Sequence, residues 1–233
     1  MKAKNAIDWH TQIAVDFDKR YSNSKAFKER YVIWTKFIDK YSHHDFRVLD
    51  LGCGSGIFTI YLSERNGYTI GLDASEEMLK ICKERMRNKG ASHVDFINCN
   101  ICELRSKLND NNVDMIICSS VLEYLDDLDE SLALISASMN RNGLLIFSMP
   151  NRRSLYRKIA PVAFKLIGLP KYYKYVKNVC TLDDIEKKIK QYGFNLLESA
   201  YYGETPILSK TFRKFGLTQY SDNLFIAVAQ LSL

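Results

Sequence analysis

Apolar and polar positions along this chain follow two alternating patterns, one typical of buried strands and the other of amphipathic helices. Seven short runs that contain clustered apolar residues are predicted as strands, and the first is apolar at nearly every position, as in a strand buried on both faces of a sheet. They are 47–51, 68–73, 93–100, 113–120, 142–150, 194–202 and 223–231. Several intervening segments carry apolar residues at the three- and four-residue spacing of a helix. The order predicts a doubly wound α/β fold, with a seven-stranded, mostly parallel sheet and helices on both faces.

The chain has 233 residues, enough to bury the core of one domain. We divide this predicted single domain, 1–233, into four parts. They are an N-terminal helical cap at 1–45, a central core at 46–151, a basic insertion at 152–180, and a C-terminal helix with strands at 181–233. One or two amphipathic helices are predicted in the cap.

The composition is that of an ordinary soluble protein, with 46% hydrophobic and 26% charged residues. No apolar run approaches the roughly 20 residues that span a bilayer, and the N-terminus lacks the apolar centre of a signal peptide. We therefore expect a cytoplasmic location. The six cysteines are expected to be reduced thiols, and Cys99 and Cys102 lack the further ligands of a zinc site, so no metal is predicted.

A glycine-rich turn follows the first predicted strand, in the stretch RVLDLGCGSGIF at 47–58. Doubly wound sheets bind cofactors at such a turn, and the helix N-terminus there favours an anion. Two anions compete for this interpretation, the pyrophosphate of a dinucleotide and the carboxylate of an amino-acid-like cofactor. The dinucleotide fingerprint needs its third glycine where this chain has Ile57, so a dinucleotide fits poorly.

The motif VLDLGCGSG, at 48–56, resembles the first motif of the Rossmann-like (class I) S-adenosylmethionine-dependent methyltransferases, and later elements match that family in order. The motifs are most similar to those of quinone and other small-molecule methyltransferases. The resemblance implies S-adenosyl-L-methionine as cofactor, with Asp73 accepting both ribose hydroxyls and Asn100 beside the adenine amine, where relatives have an aspartate. The implied cofactor contacts are Asp50, Gly52, Cys53, Gly54, Gly56, Asp73, Ala74, Met78, Asn100, Ile101 and Ser119.

The segment CSSVLEYLDD, at 118–127, resembles the vLEHv segment of the small-molecule enzymes, with Tyr124 in place of the histidine. Methyl transfer requires alignment and exclusion of water, and it requires a base only when the acceptor is a hydroxyl. The candidate catalytic residues are Glu123, Tyr124, Tyr21 and His10. The alternative interpretations are structural: a helix cap for Glu123, core volume for Tyr124 and a surface position for His10.

The net charge of +6 is concentrated in one segment. Residues 152–177 contain eight basic residues and no acidic one, which leaves a net charge of −2 for the rest of the chain. Within it, Pro161 and Pro170 predict that any helix is limited to short pieces. A stripe of apolar residues at helical spacing lies opposite three of the cations. The stripe is Leu155, Ile159, Val162 and Leu166, and the cations are Arg157, Lys158 and Lys165.

Three interpretations of this segment remain open. It is a lid over the acceptor site, a contact of 152–177 with an anionic membrane surface, or a solvated helix. The lid interpretation suits an acceptor that carries a phosphate or carboxylate, such as a nucleotide sugar or a lipid-linked glycan. We expect no nucleic-acid partner, because the fourth strand ends in CSSV and not in the Asn/Asp-Pro-Pro-aromatic sequence of many base methylases.

The sequence therefore favours methyl transfer from S-adenosylmethionine to an oxygen or nitrogen of a small-molecule acceptor, such as a sugar or secondary metabolite. The alternative from another class is a non-catalytic, methyltransferase-like binding protein in an assembly, which the departures at Asn100 and Tyr124 favour. A nicotinamide-dependent oxidoreductase is disfavoured by Ile57. The acceptor's identity and the oligomeric state are left open.

Overall fold

A single sheet of seven strands organises the computed structural model, which describes residues 3–90, 93–108, 111–168, 170–204 and 208–232. The strands are β1 (Arg47–Leu51), β2 (Tyr68–Asp73), β3 (Val94–Asn98), β4 (Val113–Cys118), β5 (Met139–Pro150), β6 (Phe194–Tyr202) and β7 (Leu224–Leu231). Their order is β3-β2-β1-β4-β5-β7-β6. Only β7 runs antiparallel to its neighbours. The predicted seven-stranded, mostly parallel sheet is confirmed.

Helices cover both faces of the sheet. They are α1 (Ala6–Gln12), α2 (Ala14–Asn23), α3 (Lys25–Tyr41), α4 (Ile57–Ser63), α5 (Glu76–Lys89), α6 (Leu104–Lys107), α7 (Leu128–Ala137), α8 (Leu155–Ile167), α9 (Leu182–Lys190), α10 (Leu208–Lys214) and α11 (Thr218–Ser221). Short 3-10 turns span Ile101–Glu103, Leu122–Tyr124 and Lys171–Tyr175. The N-terminal cap thus contains three helices, where one or two were predicted.

Alternate residues of the central strands face two separate cores. On one face, Val48 and Ile117 pack with Trp34 of α3. On the other, Leu49 and Ile116 belong to a cluster that includes residues of α7 and α9. This division explains why the central strands are apolar at nearly every position, because successive side chains point to opposite and equally buried faces.

The basic insertion contains one continuous helix where the prolines had predicted short pieces. Helix α8 runs through Pro161 for 13 residues. A proline in a helix interior removes one backbone hydrogen bond and costs about 3 kcal/mol, which tertiary packing can offset. Ala160, next to it, is only 2% exposed, so the helix is held against the protein at this point. The prediction for Pro161 is wrong, whereas Pro170 follows the helix end at Gly168, as expected.

Candidate active site

A cavity of about 830 Å³ opens at the carboxyl ends of β1, β2 and β4, between the sheet, the N-terminal cap and the insertion. Its volume lies in the upper part of the usual range for ligand sites, about 300–1,000 Å³. Every residue predicted for the site except Gly56 lines it. Those residues are His10, Tyr21, Asp50, Gly52, Cys53, Gly54, Asp73, Ala74, Met78, Asn100, Ile101, Ser119, Glu123 and Tyr124.

The three glycines of the turn after β1 all have left-handed backbone conformations, with φ of 72° at Gly52, 55° at Gly54 and 77° at Gly56. A Cβ on Gly52 would lie 2.2 Å from Val121, and one on Gly56 would lie 2.0 Å from Cys82 Sγ. At Gly54 the nearest protein atom would be 3.9 Å away. A side chain on Gly54 would therefore make only ordinary contacts, whereas Gly56 serves the packing of the turn against α5.

Asp73, at the end of β2, organises the floor of the cavity. Its Oδ2 accepts a hydrogen bond of 2.8 Å from the Gly54 N–H, and its Oδ1 accepts one of 2.8 Å from the Ser75 N–H. The carboxylate thus fixes both the glycine turn and the start of α5. Because two carboxylate oxygens offer about four acceptor positions, Asp73 retains the capacity to accept hydroxyl groups of a ligand.

Asp50, at the end of β1, is 1% exposed and accepts a hydrogen bond of 2.6 Å from the Thr59 hydroxyl. Burial raises the pKa of this carboxyl to about 7, although the Thr59 hydrogen bond opposes the shift. A buried carboxylate is stabilised by a nearby positive charge. The position therefore suits a cationic ligand in the cavity.

Asn100 has a local structural role as well as a place in the cavity wall. Its side-chain oxygen accepts from the Ile101 N–H at 2.7 Å, while Glu103 accepts from the Asn100 N–H at 3.1 Å. The Asn100 side chain also accepts from the Glu103 N–H, so the two residues form a capping box on the 3-10 turn after β3. The side-chain NH₂ of Asn100 is not used in this cap, so it remains a donor for a ligand at this edge of the cavity.

Arg30 of α3 is a site residue that the sequence analysis missed. Its guanidinium donates to the Ser119 carbonyl at 2.7 Å and to the Ser119 hydroxyl at 2.6 Å, and it lines the cavity. The chain offered a signal, because Arg30 stands three residues after Phe27 and four before Trp34, on the apolar face of the helix. A cation at such a position needs a polar partner inside the protein.

Glu123 lies in the cavity wall and is 4% exposed. In the described part of the chain, its Oε2 has no hydrogen-bond partner. Burial raises the pKa of its carboxyl to about 7, against the attraction of Arg30 and Arg157. Burial also raises the pKa of the neighbouring Tyr124, so its phenol stays protonated at neutral pH and can donate a hydrogen bond.

His10 of α1 reaches the same wall from a distant segment. Its ring lies edge-on to the Tyr124 ring, with centroids 5.0 Å apart. Burial lowers its pKa to about 4, so the ring is neutral near pH 7. Nδ1 lies 2.9 Å from the Ala6 carbonyl oxygen, which can only accept, so Nδ1 carries the proton and Nε2 keeps its lone pair. Tyr21, the remaining candidate, packs edge-on against Phe27 at 4.9 Å.

The insertion supplies three further side chains to the cavity, Tyr156, Arg157 and Tyr172. The two tyrosine hydroxyls lie 3.0 Å apart. Arg157 Nε donates to the Asn223 carbonyl at 3.4 Å, whereas its buried Nη1 has no partner among the described residues. The sequence had placed Arg157 only on the cationic side of a helix.

The insertion also closes against the N-terminal cap and the loop after β4. Tyr175 stacks on Trp9 of α1, with ring centroids 5.8 Å apart, and its hydroxyl donates to the Ala3 carbonyl at 3.2 Å. The N–H groups of Lys177 and Asn178 donate to the Glu123 carbonyl at 2.7 and 3.1 Å. The insertion thus forms part of the cavity wall and also fixes the backbone of Glu123.

A model of the methyltransferase domain family matches residues 42–198, which are well over half of the chain. The chain belongs to this methyltransferase family. A ubiquinone biosynthesis O-methyltransferase of Actinobacillus pleuropneumoniae is 25% identical over 171 residues, which cover 67% of this methyltransferase and 73% of the relative. The family resemblance drawn from the motifs is confirmed, and the protein is an enzyme that uses S-adenosylmethionine.

Two solved structures share the fold at low sequence identity. One is the putative methyltransferase in complex with the Trm112 methyltransferase activator of Haloferax volcanii, with a TM-score of 0.72, 15% identity and 100% coverage of both chains. The other is magnesium protoporphyrin IX methyltransferase of Synechocystis with bound S-adenosylhomocysteine, with a TM-score of 0.66, 16% identity and coverage of 99% and 89%.

The residues at the carboxyl ends of β1 and β2 fit this cofactor. A Cβ on Gly54 would make only ordinary van der Waals contacts with Phe17 and Met78, so the turn is not crowded there. Asp73 can accept hydroxyl groups, and buried Asp50 suits a cationic ligand. These are the groups that would hold the methionine and ribose parts. Within the described ranges, none of the helices is long and apolar enough to cross a bilayer.

Proposed function

We propose that this methyltransferase modifies an oxygen or nitrogen of a small molecule that carries a carboxylate or phosphate. The observation that carries the proposal is the buried Arg157 Nη1 without a partner in the described structure. An unpaired buried donor costs about 1–3 kcal/mol, and a guanidinium pairs best with a carboxylate or phosphate. Arg20 of α2 lines the same cavity, so a second cation is available to an anionic acceptor.

The properties of Glu123 favour a hydroxyl as the group that receives the methyl group. When bound, the cofactor supplies an electrophilic methyl group, and the chain's residues align the acceptor and exclude water. A hydroxyl must lose its proton during the reaction, and a carboxylate whose pKa is about 7 is a suitable base. The Glu123 Oε2, which has no partner in the described chain, is free to accept that proton.

The neighbouring groups have roles that do not require proton transfer. His10 Nε2 can accept a hydrogen bond from the acceptor, and the Tyr124 phenol can donate one. These contacts would orient either a hydroxyl or an amine. The O-methyltransferases among the relatives agree with an oxygen as the acceptor atom, and the motif similarity to quinone enzymes is compatible with a ring acceptor.

The test uses probe ligands, because the natural acceptor is not needed to measure the charge preference. The enzyme saturated with S-adenosylhomocysteine is titrated with benzoate, phenyl phosphate and benzamide. We expect at least one of the anions to bind about tenfold or more tightly than benzamide, since a charge-assisted hydrogen bond contributes about 1.5–3 kcal/mol. Equal binding of the neutral and anionic probes would overturn the proposal.

The chain provides a matched pair of variants for this test. Arg157→Met should abolish the preference for anions, because Arg157 lines the cavity. Lys158→Met should preserve it, because the next residue is exposed on α8. A preference that is retained in Arg157→Met would assign anion binding to another group and would remove the main support for the proposal.

A further inference from the structure

We infer that the outer side of α8 docks this methyltransferase onto an anionic lipid bilayer. The docking face consists of three exposed apolar residues of α8 and four lysines of the insertion. They are Ile159, Val162 and Leu166, with Lys158, Lys165, Lys171 and Lys174. The inference concerns a surface outside the cavity, so it does not depend on the anionic acceptor proposed above.

The apolar part of the docking face is a continuous stripe. Ile159, Val162 and Leu166 are 62%, 58% and 78% exposed, and their spacing of three and four residues places them on one side of the helix. Ala160, on another side, is 2% exposed. Single exposed apolar residues are ordinary, whereas an exposed apolar stripe that is bordered by charges marks an interaction surface.

The charges of the insertion divide into a group that is paired or turned inward and a group that faces solvent. Arg152 pairs with Asp184, Arg153 with Asp183 and Lys177 with Asp126, while Arg157 lines the cavity. In the described residues, no acidic partner lies within ion-pair distance of the four lysines of the docking face. The basic character of the docking face is therefore not neutralised by the protein.

This combination fits an anionic bilayer better than a second copy of the chain. A helix with apolar residues on one side and lysines beside them lies in the lipid interface, with its apolar stripe at the acyl boundary and its cations at the headgroups. Two copies that met through this face would bring eight uncompensated lysines together.

The position of α8 connects the docking face to the cavity. Its first turn contributes Tyr156 and Arg157 to the cavity wall, and its later turns carry the exposed stripe. A bilayer that contacts the stripe therefore lies against the helix that forms part of the cavity wall. An acceptor with an apolar tail could then reach the cavity from the lipid phase.

The experiment is co-sedimentation of the full chain with vesicles of phosphatidylcholine alone or mixed with phosphatidylglycerol. We expect the protein to sediment with the mixed vesicles, to stay in solution with the neutral ones, and to be released by salt that screens surface charge. Replacing Ile159, Val162 and Leu166 together by Ser should weaken binding by about tenfold or more, because the apolar contact is lost. The variant Lys158→Glu/Lys165→Glu should also lose binding.

A matched control uses Val15→Ser/Val32→Ser, which removes two apolar side chains that are 60% and 66% exposed on the N-terminal cap. This variant should bind vesicles as the wild type does. Because all the substituted residues are exposed, retained S-adenosylhomocysteine binding verifies the fold of each variant. The inference is overturned if the wild type binds neither vesicle or if the triple Ser variant binds undiminished. A dimer that the triple variant abolishes, without vesicle binding, would instead assign the face to a second copy.

Discussion

The two halves of the cavity are built in different ways. The cofactor half, at the ends of β1 and β2, is shaped by the backbone: three glycines have positive φ, and Asp73 holds two main-chain N–H groups. The acceptor half is shaped by side chains from segments far apart in the chain, among them His10, Glu123 and Arg157. The first half is a local consequence of strand, turn and helix, and the second exists only after the chain has folded.

The halves also differ in what they contribute to stability. In the cofactor half the polar groups of Asp73 are satisfied by the protein itself, and the glycines permit close packing. In the acceptor half, Glu123 Oε2 and Arg157 Nη1 are buried without partners in the described residues. Buried polar groups without partners cost stability, so this half is organised for a ligand. Substitutions of Gly56 and of Glu123 should therefore have opposite effects on stability.

The largest loss of stability is expected from Gly56→Ala in the cofactor half. The new Cβ would lie 2.0 Å from Cys82 Sγ and 3.3 Å from the Cys82 Cα, in a backbone conformation that alanine rarely adopts. Left-handed backbone costs about 1–2 kcal/mol, and overpacking adds about 1–3 kcal/mol. We expect the free energy of unfolding in urea to fall by about 3 to 4 kcal/mol.

Gly90→Ala is the matched control for this substitution. Gly90 has nearly the same backbone conformation, with φ of 63°, but no atom of the described residues would lie within 4 Å of an added Cβ. Gly90→Ala should therefore lower the free energy of unfolding by only about 1 kcal/mol, the cost of the left-handed conformation. Equal losses in the two variants would show that the contact with Cys82 contributes nothing, and the packing role assigned to Gly56 would then be wrong.

In the acceptor half, Glu123→Gln is expected to increase the free energy of unfolding at high pH. Its folded-state pKa of about 7 lies above the ordinary 4.5, so the folded protein holds this proton more tightly than the unfolded chain does. The resulting stability is present below pH 4.5 and is lost as the pH rises through 7. At pH 8 the ionised carboxylate costs at most about 3 kcal/mol, which a neutral glutamine avoids.

Urea unfolding of wild type and Glu123→Gln at pH 5 and pH 8 measures this effect. The variant should exceed the stability of the wild type by less than about 1 kcal/mol at the lower pH and by up to about 3 kcal/mol at the higher one. Glu77→Gln, an exposed change on α5, should show no such gain. For a hydroxyl acceptor, the same Glu123 variant should lose the rise of kcat around pH 7 that a carboxylate base produces. A variant that is less stable than the wild type at pH 8 would contradict the assignment.

The sequence was a good guide to the cofactor half because its determinants are local. The turn at Gly52–Gly56 lies within a few residues of its strand and helix, and Asp73 ends the next apolar run. Parallel strands bring their carboxyl ends to one edge, so the order of elements was enough to place these residues together. The role of Gly56 was not visible, because its contact with Cys82 depends on how α5 packs.

The acceptor half was predicted only as a list of candidates. Arg30 and Ser119 are 89 residues apart, and no local pattern indicates that they pair. Arg157 lines the cavity because of the orientation of α8 about its own axis, which the sequence does not determine. Pro161 predicted a helix end, but the helix continues through it, and Ala160 beside it is buried against the protein. Such contacts depend on tertiary packing, which the hydrophobic period of a single helix does not determine.

A smaller loss of stability is expected from Asp73→Asn. This variant separates the two roles of the carboxylate, which are to hold main-chain N–H groups and to bind the cofactor. The asparagine oxygen can still accept one of the two main-chain N–H groups, so the loss of stability should be modest. Hydrogen bonds to the charged carboxylate contribute about 1.5–3 kcal/mol, so S-adenosylhomocysteine should bind about thirtyfold more weakly in calorimetry. Asp95→Asn, which changes an exposed residue of β3, is the matched control and should bind normally.

A double-mutant cycle tests whether the lost affinity belongs to the ribose. Wild type should bind the 2′-deoxy analogue of S-adenosylhomocysteine more weakly than the natural compound, because one hydroxyl donor to the carboxylate is missing. In Asp73→Asn that difference should shrink, since the partner has lost its charge. If the difference persists in full, Asp73 acts only through Gly54 and Ser75, and the cofactor half binds its ligand through the shape of the glycine turn alone.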